Sequence, residues 1–209
     1  MRSLLTLFVL ALLALPLPAA ANPEAVKESF QIYQAALLRS DGAKAAEVVT
    51  QSSRDLYRGY ADQALTYDRT DLERLHVVDR LSVLLMRHDL PREELARMTG
   101  AQIIAYAVER GWIDKEGTAR IRLGNYQVES DFATGTLLQP DGGETPFKVE
   151  FRKENDQWRL DLVKMMEIGR YGIEHAIKQT GMSEDQFVFY VLEVSTGVAP
   201  GPEIWNPPS

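Results

Sequence analysis

Cysteine is absent from the 209-residue chain. That excludes disulfides, a thiol nucleophile, cysteine-ligated metals and a lipid-modified amino-terminal cysteine. Histidine is nearly as scarce: His76, His88 and His175 are the only three, and no two stand within a helical turn of each other. Glu174-His175 is adjacent rather than spaced for ligation, so no metal is expected. Positive charge is also short, with 23 Lys and Arg against 30 Asp and Glu and a formal charge of −7. No basic run reverses this locally, so nucleic acid and anionic headgroups are not expected partners. Gly-rich phosphate loops, a serine nucleophile elbow and a kinase-like set are missing, and no cofactor is expected. Internal repeats are absent as well.

Long apolar runs are lacking everywhere except at the beginning. Arg2 is followed by an apolar stretch from Leu4 to Leu15, then Pro16, Pro18 and Ala19-Ala20-Ala21. A basic start, a short apolar stretch and small residues make a secretory signal peptide over residues 1–21, cut before Asn22. The stretch is too short to span a bilayer, which takes about 20 residues. The expectation is an exported protein, periplasmic or secreted, without a membrane span after cleavage. A single domain over residues 22–197 and a Pro-rich tail over residues 198–209 are expected to follow.

What is present begins with helical periodicity. Val26, Phe30, Tyr33 and Leu37 form one stripe after Pro23, ended by Asp41-Gly42. A short helix from Ala43 to about Thr50 and a third from about Ser53 to Leu65 follow. Thr70-Asp71-Leu72-Glu73 fits a capping box, with Leu72, Leu75, Val78, Leu81 and Leu85 as the stripe behind it. Leu81 to Met86 is apolar almost all round, so this helix is expected to be the most buried. A short helix from Asp89-Leu90-Pro91 through Met98 comes next. Thr99-Gly100-Ala101-Gln102 is a second capping box, and Gly111 suits the end of its helix.

The period then changes to two. Ala119, Ile121 and Leu123 alternate with Arg120 and Arg122, and Gly124-Asn125 marks a bulge or turn before Tyr126 and Val128. Phe132 to Leu138 is a strand, Asp141-Gly142-Gly143 a turn, and Phe147 to Leu162 a hairpin. For Phe151 and Trp158 to share a face, the hairpin must pair residues of odd sum, which demands an even loop such as Lys153 to Asp156. The other face then carries a charged ladder of Lys148, Glu150, Arg159 and Asp161, with Arg120 and Arg122 nearby. Helical pattern returns at Met165, Ile168, Ile173, Ala176 and Ile177, with Gly181 as a stop. Ser183-Glu184-Asp185-Gln186 starts a last helix carrying Phe187, Tyr190, Val191 and Val194. The fold class expected is α+β, with amino-terminal helices packed on a curved, cone-like antiparallel sheet and extra carboxyl-terminal helices.

Tyr33-Gln34-Ala35-Ala36-Leu37-Leu38-Arg39-Ser40-Asp41-Gly42 resembles the first helix and turn of the nuclear transport factor two-like superfamily (SnoaL-like, ketosteroid-isomerase-like). The Phe147 to Leu162 hairpin, with Lys153-Glu154-Asn155-Asp156 and Trp158, resembles that fold's closing strands. The likeness covers residues 23–165. It implies a cone-shaped pocket, and a superfamily that includes isomerases, cyclases, dehydratases and non-catalytic binders. Two features depart from it: the helical block from Thr70 to Trp112 is long, and the helices after Met165 are additional.

Within such a pocket, Tyr33, Tyr57, Tyr60, Tyr67 and Trp158 are the candidate ligand-binding residues, and Tyr57, Tyr60 and Tyr67 cluster near the expected mouth. His76 and Asp79 sit three apart, as a carboxylate orienting an imidazole requires, so His76 and Asp79 with Tyr57 and Tyr60 are the candidate catalytic set. The competing reading is a surface pair flanked by Arg74 and Arg80. Asp62, Asp68 and Asp71 are accounted for by caps and turns. Gly169-Arg170-Tyr171-Gly172 reads as easing close helix packing. Trp205 in the tail either folds back over a pocket, docks on a partner, or belongs to a disordered end.

Three functions fit these residues. The first is a soluble, non-catalytic module binding a small apolar ligand or an envelope protein. The second is a pocket enzyme of isomerase or dehydratase type with a carboxylate or His base and Tyr donors. The third is a structural or inhibitory interaction module acting through the charged sheet face or the tail. Homo-oligomers are compatible with all three. Amino-terminal sequencing of the exported protein is expected to begin Asn22-Pro23-Glu24, and a retained Met1 would remove the leader assignment.

Overall fold

The computed structural model describes residues 22–113 and 115–208, so the leader assignment falls outside the described residues. Ten α-helices and four strands are described, and the architecture is α+β as expected, with helices on a curved open sheet.

Helix α1 (Pro23–Leu38) starts from an Asn22 cap and buries Val26, Phe30, Tyr33 and Leu37, the stripe that the sequence shows. Asp41 both ends that stretch and caps α2 (Gly42–Glu47), its side chain accepting from the Lys44 amide at 3.0 Å. The second helix is shorter than expected. Val48 and Val49 leave it, and Val49 instead makes a parallel bridge to Leu160 at the sheet edge. Two β-branched residues in succession favour that extended backbone. Thr50 then caps α3 (Gln51–Thr66).

The expected capping box at Thr70 is not used. Asp68 caps α4 (Arg69–Glu73), the chain breaks at residues 74–76, and His76 caps α5 (Val77–Asp89). One continuous stripe is therefore split between two helices. Helix α5 is heavily buried, as expected, and it takes charged residues inside with it. Arg80 is 4% exposed and Arg87 9%, which corrects the reading of Arg80 as a surface flank. Arg80 meets Glu184 at 2.6 Å. Arg87 donates to the carbonyl oxygens of Gln63, Ala64, Tyr67 and Ile204 at 2.8 to 3.4 Å. Burial pulls the guanidinium down to about 10, still well above neutrality, so it keeps its charge.

Helices α6 (Arg92–Arg97) and α7 (Gly100–Glu109) follow, the second with the expected Thr99–Gln102 capping box. Glycine is required at two helix starts. A Cβ on Gly42 would collide with the Ala105 backbone, and one on Gly100 with the Arg54 carbonyl, so α2 and α3 both cross α7 at backbone contact. Asp89 closes the group by accepting from Arg110 Nε at 2.8 Å. That hydrogen bond holds the Asp89 carboxyl below the usual range against its partial burial.

The expected strand at Ala119 begins later. Lys115–Arg120 is helix α8, and β1 runs Arg122–Glu129 with β2 (Phe132–Leu138), β3 (Glu144–Glu154) and β4 (Gln157–Leu160) in the order β1-β2-β3-β4. Register slips between Gly124 and Gln127, where Asn125 has φ +45°, confirming the bulge. Phe151 pairs with Leu160 and Lys153 with Trp158. Both sums are odd, so Phe151 and Trp158 share a face. The even loop is the two-residue turn Asn155-Asp156, both at positive φ. Phe30 meets Phe151 edge-on at 6.3 Å, which places α1 on that apolar face. The charged ladder keeps Lys148 and Glu150 but loses Arg120 to α8 and Asp161 to the cap of α9 (Leu162–Thr180).

Helix α10 (Glu184–Thr196) has the expected Ser183 box and packs Phe187, Val188 and Leu192 inward. The tail, expected to be irregular, forms a 3-10 turn at Pro202–Trp205 with Ile204 and Trp205 in the main core. Trp205 stacks on Phe189 at 5.9 Å under Arg69. Of the three readings of Trp205, a tail folded back, a partner contact or a disordered end, the structure has the tail folded back, because a large ring gains more from burial than the short tail loses in freedom.

Two stability tests follow. Gly100→Ala, a change that favours a helix elsewhere, is expected to destabilise by about 2 kcal/mol or more in urea unfolding, because the methyl meets a carbonyl. Asp89 has a depressed folded pKa, so its contribution is full above the unfolded value of about 4 and drains as pH falls through the folded one. Asp89→Asn should flatten the stability–pH curve on that acid limb only.

Candidate functional site

Helices α1, α3, α5, α7 and α9 do not close on one another completely. A cavity of about 300 Å³ remains between them, and its wall includes Tyr33, Tyr57, Leu85, Trp112, Met166 and Ile173. Apolar groups dominate that wall, and three methionines, Met86, Met165 and Met166, give it an adaptable lining. Against this background two phenol hydroxyls stand out. Tyr33 and Tyr57 are 2% and 8% exposed, and neither hydroxyl has a hydrogen-bond partner among the described residues. Burial raises the Tyr33 phenol well above its ordinary value, with the neighbouring Tyr57 adding to the push. Burial raises Tyr57 to about 12. Both are therefore neutral donors at physiological pH, able to offer a hydrogen bond to an oxygen and unable to serve as bases.

Tyr60 lies one turn along α3, its ring edge-on to Tyr57 at 6.0 Å, but it serves another purpose. Its hydroxyl donates to Asp79 Oδ1 at 2.5 Å, while Arg170 Nη2 donates to Asp79 Oδ2 at 2.8 Å. Burial and that carboxylate both raise the Tyr60 phenol. These three residues border a smaller cavity of about 230 Å³ that shares Met166 with the first. Both oxygens of Asp79 are occupied, which leaves it a structural acceptor.

The candidate catalytic set does not converge. His76 is the cap of α5, with Nδ1 accepting from the Val78 amide at 3.3 Å, and its Nε2 lies 3.0 Å from Glu174 Oε1. The i, i+3 spacing predicts a His76–Asp79 pair, but the His76 ring is taken by the Val78 amide and Glu174 while Asp79 is taken by Tyr60 and Arg170, so the two do not meet. His76 borders a surface cleft beside Lys148 and Tyr171, Asp79 the small cavity, and Tyr57 the large one. Tyr33 and Tyr57 are thus the ligand-binding candidates that the fold brings together. Tyr67 and Trp158 are half-buried elsewhere: the Tyr67 carbonyl serves Arg87, and the Trp158 carbonyl takes the Ser29 hydroxyl at 2.8 Å. Asp68 caps α4 as its type suggests, and Asp62 pairs with Arg58. Among the described residues no group of His, Asp and Glu is arranged to hold a metal.

Sequence reasoning missed the α9 side of the cavity. Met165, Gly169 and Ile173 repeat at intervals of four, so they form one stripe with a gap where a side chain is missing. That gap is the signal. A Cβ on Gly169 or Gly172 would meet nothing within 4 Å, which corrects the expectation that these glycines permit close packing. No family model matches this chain, and neither a curated protein nor a solved structure does.

The two kinds of tyrosine should separate on substitution. Tyr33→Phe and Tyr57→Phe remove hydroxyls with no protein partner and are expected to shift unfolding by less than about 0.5 kcal/mol. Tyr60→Phe strips a donor from a half-buried carboxylate and is expected to cost about 1.5 kcal/mol. Equal effects in chemical denaturation would contradict this division.

Proposed function

We propose that the protein is an exported, non-catalytic binding module. Its ligand is a small, largely apolar molecule with one acceptor oxygen, held between α1, α3, α5, α7 and α9. One observation carries this reading: two tyrosines buried as residues, Tyr33 and Tyr57, have hydroxyls without protein partners at an apolar cavity of about 300 Å³, a volume within the range of ligand sites. A hydroxyl that faces a cavity needs its acceptor from whatever occupies the cavity, a water or a ligand oxygen. An acceptor oxygen on a bound molecule meets that need for Tyr33 and Tyr57, and the apolar wall supplies most of the affinity by burial. The leader supports delivery beyond the cytoplasm.

The test is binding of a neutral apolar fluorophore, N-phenyl-1-naphthylamine, to the mature chain, followed by competition with apolar ketones and alcohols. Gly169→Leu is expected to abolish binding while raising the melting temperature, since the new side chain enters open space and leucine favours helix by about 1 kcal/mol over glycine. Tyr33→Phe/Tyr57→Phe should keep the fluorophore and weaken ketones by roughly fivefold to tenfold, the size of one or two hydrogen bonds. Unchanged fluorophore binding in Gly169→Leu would place the site elsewhere.

A further inference from the structure

Helix α9 is the longest element described, yet only its first residue, Leu162, is buried. Its apolar residues Met165, Met166, Ile168 and Ile173 are half-buried, since they border cavities rather than filled core. By contrast the shorter α10 buries three side chains. The beginning of α9 is firmly tied. The Leu162 amide donates to Ser53 Oγ at 2.8 Å in the buried core, and Asp161 caps the Val163 amide at 2.9 Å. Beyond Gly169 the ties change in kind. The segment is held to the start of α5 by two polar links: Arg170 to Asp79 at 2.8 Å and Glu174 to His76 at 3.0 Å. Glu174 is 48% exposed and His76 29%, so that link is weak; Arg170 is 40% exposed but Asp79 only 14%, so the other is partly shielded and the stronger of the two.

Glycine brackets this same segment. Gly169 and Gly172 stand where no neighbour demands a missing side chain, and Gly181 ends the helix in the left-handed region at φ +66°. Glycine inside a helix weakens it and is a usual site of bending. A glycine without a packing reason, in the middle of a helix over a cavity, therefore has a mechanical reading. Few buried contacts and weak polar ties are the marks of a segment that opens ahead of the rest of a fold.

We infer that α9 from Gly169 to Gly181 is a gate over the apolar cavity, hinged at Gly169 and latched to α5 by Asp79–Arg170 and His76–Glu174. The gate rests on the reading of that cavity as a ligand site. Closed, it supplies Gly169 and Ile173 to the wall. Open, it exposes the cavity beside Met166, the residue shared with the small cavity where Arg170 and Asp79 meet. Asp79 keeps the Tyr60 hydroxyl when Arg170 leaves, so opening strands no carboxylate without a donor.

Amide hydrogen exchange on the mature chain tests the hinge without any ligand. Amides of Ile173–Thr180 should exchange faster than those of Phe187–Leu192 in α10. Arg170→Gln/Glu174→Gln should accelerate them about threefold to tenfold, the worth of one part-buried ion pair and one exposed hydrogen bond, and leave Met165–Glu167 unchanged. Gly172→Ala should slow them about threefold to fivefold. Stopped-flow mixing with N-phenyl-1-naphthylamine then tests the gate: association and dissociation should rise together in the latch variant and fall together in Gly172→Ala, with the dissociation constant held within about twofold. Exchange at one rate along all of α9, or indifference to both variants, overturns the hinge. Fluorophore rates that ignore both variants overturn the gate. The expected exchange pattern without fluorophore binding in any variant supports the hinge and overturns the ligand reading instead.

Discussion

The guanidinium of Arg87 lies buried with no carboxylate partner among the described residues, and it donates to four main-chain carbonyls instead. Three of these, Gln63, Ala64 and Tyr67, stand at the carboxyl end of α3, where unpaired carbonyls and the helix dipole concentrate negative charge. The fourth, Ile204, belongs to the tail. A buried charge tolerates little displacement from its acceptors, because the low dielectric that strengthens these bonds makes their loss expensive. Arg87 therefore sets how α3 lies on α5 and holds the carboxyl-terminal turn against both. Everything at the cavity depends on that crossing: Tyr57 and Tyr60 come from α3, Val78, Asp79 and Leu85 from α5. Ion pairs make the remaining ties of α5, Arg80 to Glu184 on α10 and Asp89 to Arg110 at the end of α7.

Around this frame the helices meet at two very different distances. Where α7 crosses α2 and α3, glycines at Gly42 and Gly100 let backbones touch. Where α9 crosses α5, flexible methionines and an absent side chain leave a gap. Side chains too long to interdigitate and too few to fill the space produce a cavity, and methionine makes its walls compliant. The two unpartnered phenols are the reason for proposing that gap as a ligand site rather than a packing fault. Their neutrality follows from the same burial that isolates them, so the site is suited to holding an oxygen rather than to moving a proton.

Much of the frame was legible in the residues. The stripe from Val26 to Leu37, the Thr99 and Ser183 capping boxes, the bulge at Asn125 and the odd-sum pairing of Phe151 with Leu160 are all local, and local rules read them correctly. Of the five candidates Tyr33, Tyr57, Tyr60, Tyr67 and Trp158, named for the pocket that the resemblance implies, the cavity brings together Tyr33 and Tyr57. Failures fall where distant groups compete. Asp68 and His76 took the caps that Thr70 was expected to supply, and Lys115–Arg120 wound into helix where alternation suggested strand. Arg80 read as surface because charge normally stays in water, and only its partner Glu184 on α10 reverses that rule. Trp205 likewise found its place in a core that no local pattern reveals.

The sequence by itself determined the α+β class, the absence of cysteine chemistry, most helix starts and the sheet's parity. These depend on hydrophobic period, cap chemistry and turn residues, whose physics acts within a few positions of the chain. Tertiary structure alone decided which tyrosines share a cavity, that Asp79 belongs to Tyr60 and Arg170 rather than to His76, and that α9 spans open space. Those outcomes turn on the angles at which helices cross, and a crossing angle is set by side chains far apart in sequence that meet only after folding.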